Sequence, residues 1–252
     1  MLILAHRGIK YSPNSLKALN KALAQGFSLE TDLRMSQDKK IIIIHDKNLK
    51  DVFGINVNAN ELIYKELVEK DSKFVNLIPD FENFIKVSAN GLALGQKIAL
   101  HIKDYDNQEL IFKTCGIIEK YKLEERVFIF DILLSHIKKT KKHYPKCKIG
   151  ISVAEKNYSP TVYTINDVKP YIKFIDIIWA DEWSGGLYTK DFFDYCKNIK
   201  KDVYLISPEL HKPEKHPFSR RPETFWKNIS PFVFAGICTD FSEKARKFFG
   251  HD

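Results

Sequence analysis

The 252-residue sequence predicts an α/β protein of the (β/α)8 TIM-barrel class, on three observations. Eight strand-like runs alternate with helix-like runs along the chain, the pattern of a parallel sheet with helical crossovers. Barrels of this class typically need about 250 residues. No stretch is rich enough in Gly, Ser or Pro to act as a linker, so residues 1–252 read as a single domain.

The strand-like runs are Leu2–Ala5, Ser28–Leu33, Ile98–Ile102, Val127–Phe130, Ile149–Val153, Ile175–Ala180, Val203–Ser207 and Gly236–Thr239. They carry the β-branched and aromatic residues that suit a pleated, buried surface. Between them, Asn14–Ala24 opens with Asn and Ser and stops before Gly26, as helix caps require. Asp80–Val87, Gln108–Tyr121, Ser135–His143, Thr189–Ile199, Glu223–Ile229 and Ser242–Phe249 are further helical runs, and Asn166–Ile172 is a weak one. One interruption stands out: after the second strand, Arg34–Asp46 holds a turn (Ser36 to Lys40) and an apolar run, Ile41–Ile44. It reads as a small hairpin-like insertion ending in His45-Asp46.

Composition excludes several classes. With 44% hydrophobic and 13% aromatic residues, the chain is no disordered polymer, collagen-like fibre or disulfide-dense mini-protein. The short apolar opening meets a charge at Arg7, so no signal peptide is expected, and no segment approaches the ~20 apolar residues of a membrane span. Cys115, Cys147, Cys196 and Cys238 lack C-x-x-C spacing and read as reduced, mostly buried thiols. The cytoplasm is the expected compartment. A net charge of +8 favours anionic partners in general. No nucleic-acid-binding motif is present, so nucleic acid is not expected as a partner. The lysines at 138, 139, 141, 142, 146 and 148 read as a solvated helix face.

Barrels carry their chemistry on the C-terminal ends of the strands. There this sequence places His6-Arg7, Glu30-Thr31-Asp32, His45-Asp46, His101-Ile102-Lys103, Asp181-Glu182-Trp183, Glu209-Leu210-His211 and Asp240. Residues two apart on a strand share a face, so Glu30 and Asp32 point the same way, as do His101 and Lys103. Buried carboxylates facing one cavity repel unless a cation joins them. The Glu30–Asp32 pair therefore calls for a divalent metal, and hard oxygen ligands suit Mg2+ or Ca2+. A lone strand-end histidine is more often structural, and Glu-x-Asp alone more often a surface ion-pair motif. The functional reading rests on co-location: four of eight histidines (His6, His45, His101, His211) fall at strand ends or their extensions.

Ala5-His6-Arg7-Gly8, Pro13-Asn14-Ser15-Leu16, Glu30-Thr31-Asp32-Leu33-Arg34, Asp38 and Ile44-His45-Asp46 match a known pattern in order and spacing. Together they resemble the glycerophosphodiester phosphodiesterase family, a barrel family with an insertion after strand 2. Leu100-His101-Ile102-Lys103 occupies the place of that family's L-E-I-K strand, and Gly236 to Asp240 looks like its G-x-x-T-D closing strand. The resemblance implies roles. His6 and His45 match the catalytic histidines, Glu30 and Asp32 two metal ligands, and Arg7 and Lys103 the cations around the phosphate. The implied substrate is a small-molecule phosphodiester, of glycerophosphodiester or polyol or sugar type, cleaved through a cyclic phosphate.

Two positions depart from the family: the helix start Pro13-Asn14-Ser15 lacks an acidic residue usual there, and His101 stands where a third acidic ligand is usual. Three outcomes are open. His101 ligates and tilts the preference toward Mn2+ or Zn2+; another acid, Glu209 or Asp181, replaces it; or metal binding weakens. The stretch Ile206 to His211 also departs, leaving Glu209 and His211 as candidates for reading substrate hydroxyls, with Trp183 as a wall for a sugar or polyol. Trp179, mid-strand, reads as core. Two alternatives to a hydrolase remain: a lyase stopping at the cyclic phosphate, and a catalytically silent phospho-polyol binding protein.

Overall fold

The strand-like runs pair in the order that closes a ring. The computed structural model describes residues 1–89, 91–212 and 214–250. Among these residues, eight parallel strands form a barrel: β1 (Leu2–His6), β2 (Ser28–Met35), β4 (Ile98–Ile102), β5 (Val127–Phe130), β6 (Lys148–Val153), β8 (Ile177–Ala180), β9 (Asp202–Ile206) and β10 (Gly236–Thr239). Closure is made by β1, which pairs with both β2 and β10. Two short strands stand outside the ring. β3 (Ile41–Ile43) runs antiparallel to β2, completing the hairpin the sequence predicts, and β7 (Val162–Tyr163) lies beside β6. β7, only two residues long, left no periodicity to detect.

The helices are α1 (Leu16–Ala24), α2 (Lys50–Phe53), α3 (Tyr64–Lys70), α4 (Phe74–Leu77), α5 (Phe81–Ser88), α6 (Gln108–Lys120), α7 (Leu134–His143), α8 (Ile165–Val168), α9 (Lys190–Asn198), α10 (Pro222–Ile229) and α11 (Ser242–Phe248); all but α2, α3 and α4 fall on runs the sequence predicts. Side chains at the N-caps define several starts. Ser15, Asp80, Asn107 and Thr189 accept from first-turn amides of α1, α5, α6 and α9. Asn14, expected inside the first helix, lies before it with φ +63. The weak helical unit is weak for a physical reason: α8 stops after one turn and continues as a 3-10 segment, Lys169–Phe174, where Pro170 withholds an amide.

Strand alternation sorts the apolar residues into two layers. Ile3, Ala5, Leu29, Leu100, Ile151 and Leu205 point outward into the layer under the helices. Leu4, Ala99, Phe128, Phe130, Ile177, Trp179, Tyr204 and Cys238 point inward and fill the barrel. Trp179 is thus core, stacked on Phe130 with ring centroids 4.3 Å apart. The insertion after β2 extends beyond its hairpin through α2, α3 and α4 and has a small core of its own, including Ile42, Leu49, Leu62, Tyr64 and Phe74. All four cysteines are buried free thiols, and Cys115 and Cys147 meet with their sulfurs 2.7 Å apart. Among the described residues no helix is long and apolar enough to cross a membrane.

Gly236 shows how tightly the floor is packed. A Cβ there meets the Leu2 carbonyl oxygen, Leu4 and Tyr204, each at 2.9 Å. Gly236→Ala is expected to lose about 1–3 kcal/mol of stability by overpacking. Thermal denaturation checks this, and an unchanged melting temperature contradicts it.

Candidate active site at the barrel mouth

The inward rows of β1, β2, β4 and β10 emerge above the apolar filling as polar side chains. Strand register sets their neighbours: His6 pairs with Glu30 across β1–β2, and Asp32 with His101 across β2–β4. They surround a cavity of about 300 Å3 lined by His6, Arg7, Glu30, His45, His101 and Lys103, with Trp179 and Phe130 also contributing. A larger groove of about 720 Å3 lies at the opposite, N-terminal end of β9 and carries no imidazole.

Glu30 and Asp32 are buried. One oxygen of each, Glu30 Oε2 and Asp32 Oδ1, has no hydrogen-bond partner. The other Asp32 oxygen accepts from Asn14 Nδ2 at 2.8 Å and pairs with Arg7 Nε at 2.9 Å. The left-handed backbone at Arg7 (φ +56) and Asn14 (φ +63) turns both side chains toward Asp32. Gly8 permits this, because its φ is +88 and any Cβ would strike the Ala18 backbone at 2.5 Å. Lys103 Nζ stands 3.9 Å from Asp32 Oδ1. Burial by itself raises a carboxyl pKa, but Arg7, Lys103 and His101 outweigh it and hold Asp32 well below the usual carboxylate range. Glu30 moves up instead, through burial and the charge of Asp32.

Ligating atoms of Glu30, Asp32 and His101 all lie within 4.8 Å of one another. Two buried, partly unsatisfied carboxylates and an imidazole fit a divalent cation in donor type and charge. His101 Nδ1 faces this group, 3.4 Å from Asp32 Oδ1 and 3.8 Å from Glu30 Oε1.

His6 and His45 line the same cavity. His6 Nδ1 donates to Asp240 Oδ1 at 2.8 Å, and its Nε2 lies 3.9 Å from Glu30 Oε2. Burial alone would lower its pKa, but the Asp240 bond and the charge of Glu30 carry it above the ordinary imidazole value. His45 Nδ1 donates to Asp46 at 2.7 Å. Its pKa is lowered, first by burial and then by the charges of Lys103 and Arg7, against the pull of Asp32 and Asp46. Arg34 ties this loop to the barrel: its Nε donates to the His45 carbonyl at 2.9 Å, and its guanidinium pairs with Asp104.

Asp181, Trp183 and His211 form the far wall. Asp181 Oδ1 and His211 Nε2 are 2.9 Å apart. Trp183 stacks on Tyr158 at 4.6 Å, and its buried Nε1 has no hydrogen-bond partner. Glu209 stands apart. Its carboxylate accepts from the Thr239 hydroxyl and the Asp240 amide, so it braces the end of β10 rather than lining the cavity. Sequence reasoning assigned no role to Asp131 or Asn14. Asp131 follows β5 directly, so the strand-end rule that singled out Asp181 and Asp240 applies to it equally. Asn14 gave no signal, since its contact depends on the turn before α1.

The fold, with this collection of groups at its C-terminal mouth, defines a barrel enzyme of the phosphoric diester hydrolase class. The family model for the glycerophosphoryl diester phosphodiesterase family matches residues 6–175, and the chain belongs to that family. It is similar to a glycerophosphodiester phosphodiesterase of Bacillus altitudinis, 23% identical over 257 residues that cover 97% of this chain and 96% of the relative. Crystal structures share the fold. That of a glycerophosphodiester phosphodiesterase from Thermotoga maritima superposes with a TM-score of 0.67 at 20% identity, over 98% of this chain and 97% of the other. That of an Oleispira antarctica phosphodiesterase, in complex with the product sn-glycerol-3-phosphate, gives 0.71 at 16% identity, over 99% and 97%. The family match ends before β8, so Asp181, Trp183, His211 and Asp240 lie beyond it.

Proposed function

We propose that this chain is a divalent-metal-dependent phosphodiesterase acting on glycerophosphodiester-like or polyol phosphodiesters, with His6 and His45 as its acid and base. The observation that carries this reading is the meeting of two imidazoles, two cations and the Glu30–Asp32–His101 group around one cavity. Glu30, Asp32 and His101 would hold the metal, which supplies Lewis-acid stabilisation of the charge gathering on the phosphoryl oxygens. Mg2+ and Ca2+ suit the two carboxylates, whereas the imidazole favours Mn2+ or Zn2+. Arg7 and Lys103 bind the non-bridging oxygens and neutralise the same charge.

One histidine takes the proton of a substrate hydroxyl neighbouring the phosphate. That oxygen attacks phosphorus, the bond to the departing alcohol breaks, and the other histidine protonates the leaving oxygen. The pairing with Asp240, which favours imidazolium, supports His6 as the donor; the lowered pKa of His45 supports it as the acceptor. The product is a cyclic phosphate, hydrolysed by the same pair with roles reversed. The Oleispira relative's glycerol phosphate product supports a glycerol-bearing substrate. Asp181, Trp183 and His211 line the same cavity and are polar groups suited to an alcohol's hydroxyls.

Phosphorus NMR of glycerophosphodiester turnover tests the proposal. Formation of a phosphomonoester that ceases on chelation supports it; a cyclic product that persists identifies a lyase; no turnover with or without added metal rejects it. A pH profile tests His45 separately. The charged groups facing it are Asp46, Asp32, Lys103 and Arg7. Because its pKa is depressed, it is a free base at neutrality, and a bound cation pushes it further the same way. The acidic limb of kcat/KM is therefore expected below about pH 6.5, the ordinary imidazole value. A limb above that value contradicts the assignment.

A further inference from the structure

His101 stands where the resemblance places an acidic ligand, and its ring is held at both nitrogens and on one face. Nδ1 faces Asp32 and Glu30, while Nε2 stands 3.0 Å from Asp131 Oδ2. One face of the ring lies against Phe130, with centroids 4.7 Å apart. Asp131 is itself buried, and its other oxygen accepts from the Ser152 hydroxyl on β6. Its backbone sits in the left-handed region (φ +60), a conformation that costs free energy in a non-glycine residue and here turns the carboxylate back over the mouth.

We propose that Asp131 is a positioning residue that makes His101 a metal ligand. It holds Nε2 as N–H, presents the Nδ1 lone pair to Glu30 and Asp32, and supplies through the ring the negative charge that a ligating carboxylate would have carried. A carboxylate oxygen can only accept, so the nitrogen 3.0 Å from Asp131 carries a proton, and a cation held by Glu30 and Asp32 would leave the other nitrogen to ligate it. A carboxylate behind a ligating imidazole fixes its tautomer and orientation and raises its basicity. The substitution at position 101 and the acid after β5 thus form one unit. This inference rests on the reading of Glu30, Asp32 and His101 as the metal site.

The test compares Mn2+ binding by calorimetry, after chelator treatment, in the wild-type protein, Asp131→Asn, His101→Glu and the double variant. Asparagine accepts the left-handed backbone, so Asp131→Asn tests the charge rather than the turn. The apo melting temperature of each variant reports folding independently. Asp131→Asn is expected to weaken Mn2+ binding about 10–100-fold. In the His101→Glu background, where the ligand needs no orienting partner, the same change is expected to leave affinity within about twofold or to improve it. Equal weakening in both backgrounds overturns the proposal, because Asp131 would then act only as a distant charge. Unchanged affinity in Asp131→Asn alone also overturns it. If the wild-type protein binds no Mn2+, Mg2+, Ca2+ or Zn2+, the metal reading itself falls and the proposal with it.

Discussion

His6→Ala is expected to lower kcat about 10^2–10^4-fold on an alkyl phosphodiester, the usual worth of a positioned acid or base. KM is expected to move little, because Arg7 and Lys103, the cations proposed to hold the phosphate, remain. Folding is expected to survive, since the interaction lost is one hydrogen bond to Asp240, a half-exposed carboxylate. The informative comparison is the leaving group. A p-nitrophenyl ester leaves without protonation, so the defect is expected to shrink when such a substrate replaces the alkyl ester. His45→Ala is expected to impair both substrates alike, because a hydroxyl nucleophile needs its proton removed whichever group departs. Steady-state kinetics on the two esters reads this out. A similar defect on both for His6→Ala would remove His6 from the donor role.

Asp32→Asn is expected to abolish turnover and also to destabilise the fold. The Asp32 side chain is fully buried and bears the charge that meets Arg7 and Lys103. An amide cannot satisfy that arrangement. With its oxygen toward Arg7 and Asn14, the buried position keeps its hydrogen bonds but loses its charge; turned around, it sets a donor against two donors. Removing one partner of a buried pair leaves the other charge uncompensated, at a cost of about 3–5 kcal/mol. Chemical denaturation measures that loss. The sign with pH follows from the depressed pKa. The stabilisation from Asp32 is present above the unfolded-state carboxyl value and is lost as pH falls toward the lower folded value. Chelation of the wild-type protein is expected to remove turnover while leaving most of this stability, because Arg7 and Lys103 continue to neutralise Asp32. Full activity in Asp32→Asn contradicts both the ligand assignment and the electrostatic argument.

Much of this protein was legible before any coordinates. The eight strands follow from their β-branched and aromatic runs, the hairpin after β2 from its turn and second apolar run, and the shared face of Glu30 and Asp32 from alternation along one strand. Ser15, Asp80 and Thr189 mark helix starts through a local hydrogen bond, so they too are readable in isolation. What lay hidden is long-range. Asn14 reads as a helix residue until the turn shows it outside α1 and bonded to Asp32. Glu209 reads as a site candidate because it ends a strand, yet the 3-10 segment Pro208–Leu210 directs its carboxylate to Thr239.

By itself, the sequence determined the kind of fold, the family, and most of the polar residues that reach the barrel mouth, though not Asp131 or Asn14. Each of these depends on periods and spacings within short segments. Only the tertiary structure decided which of those residues touch. Register puts Asp32 beside His101, closure by β1 brings His6 to Asp240, and the end of β5 carries Asp131 to His101. Those meetings are fixed by how eight strands stagger and close around one apolar interior, a cooperative packing outcome that no local stretch of chain encodes.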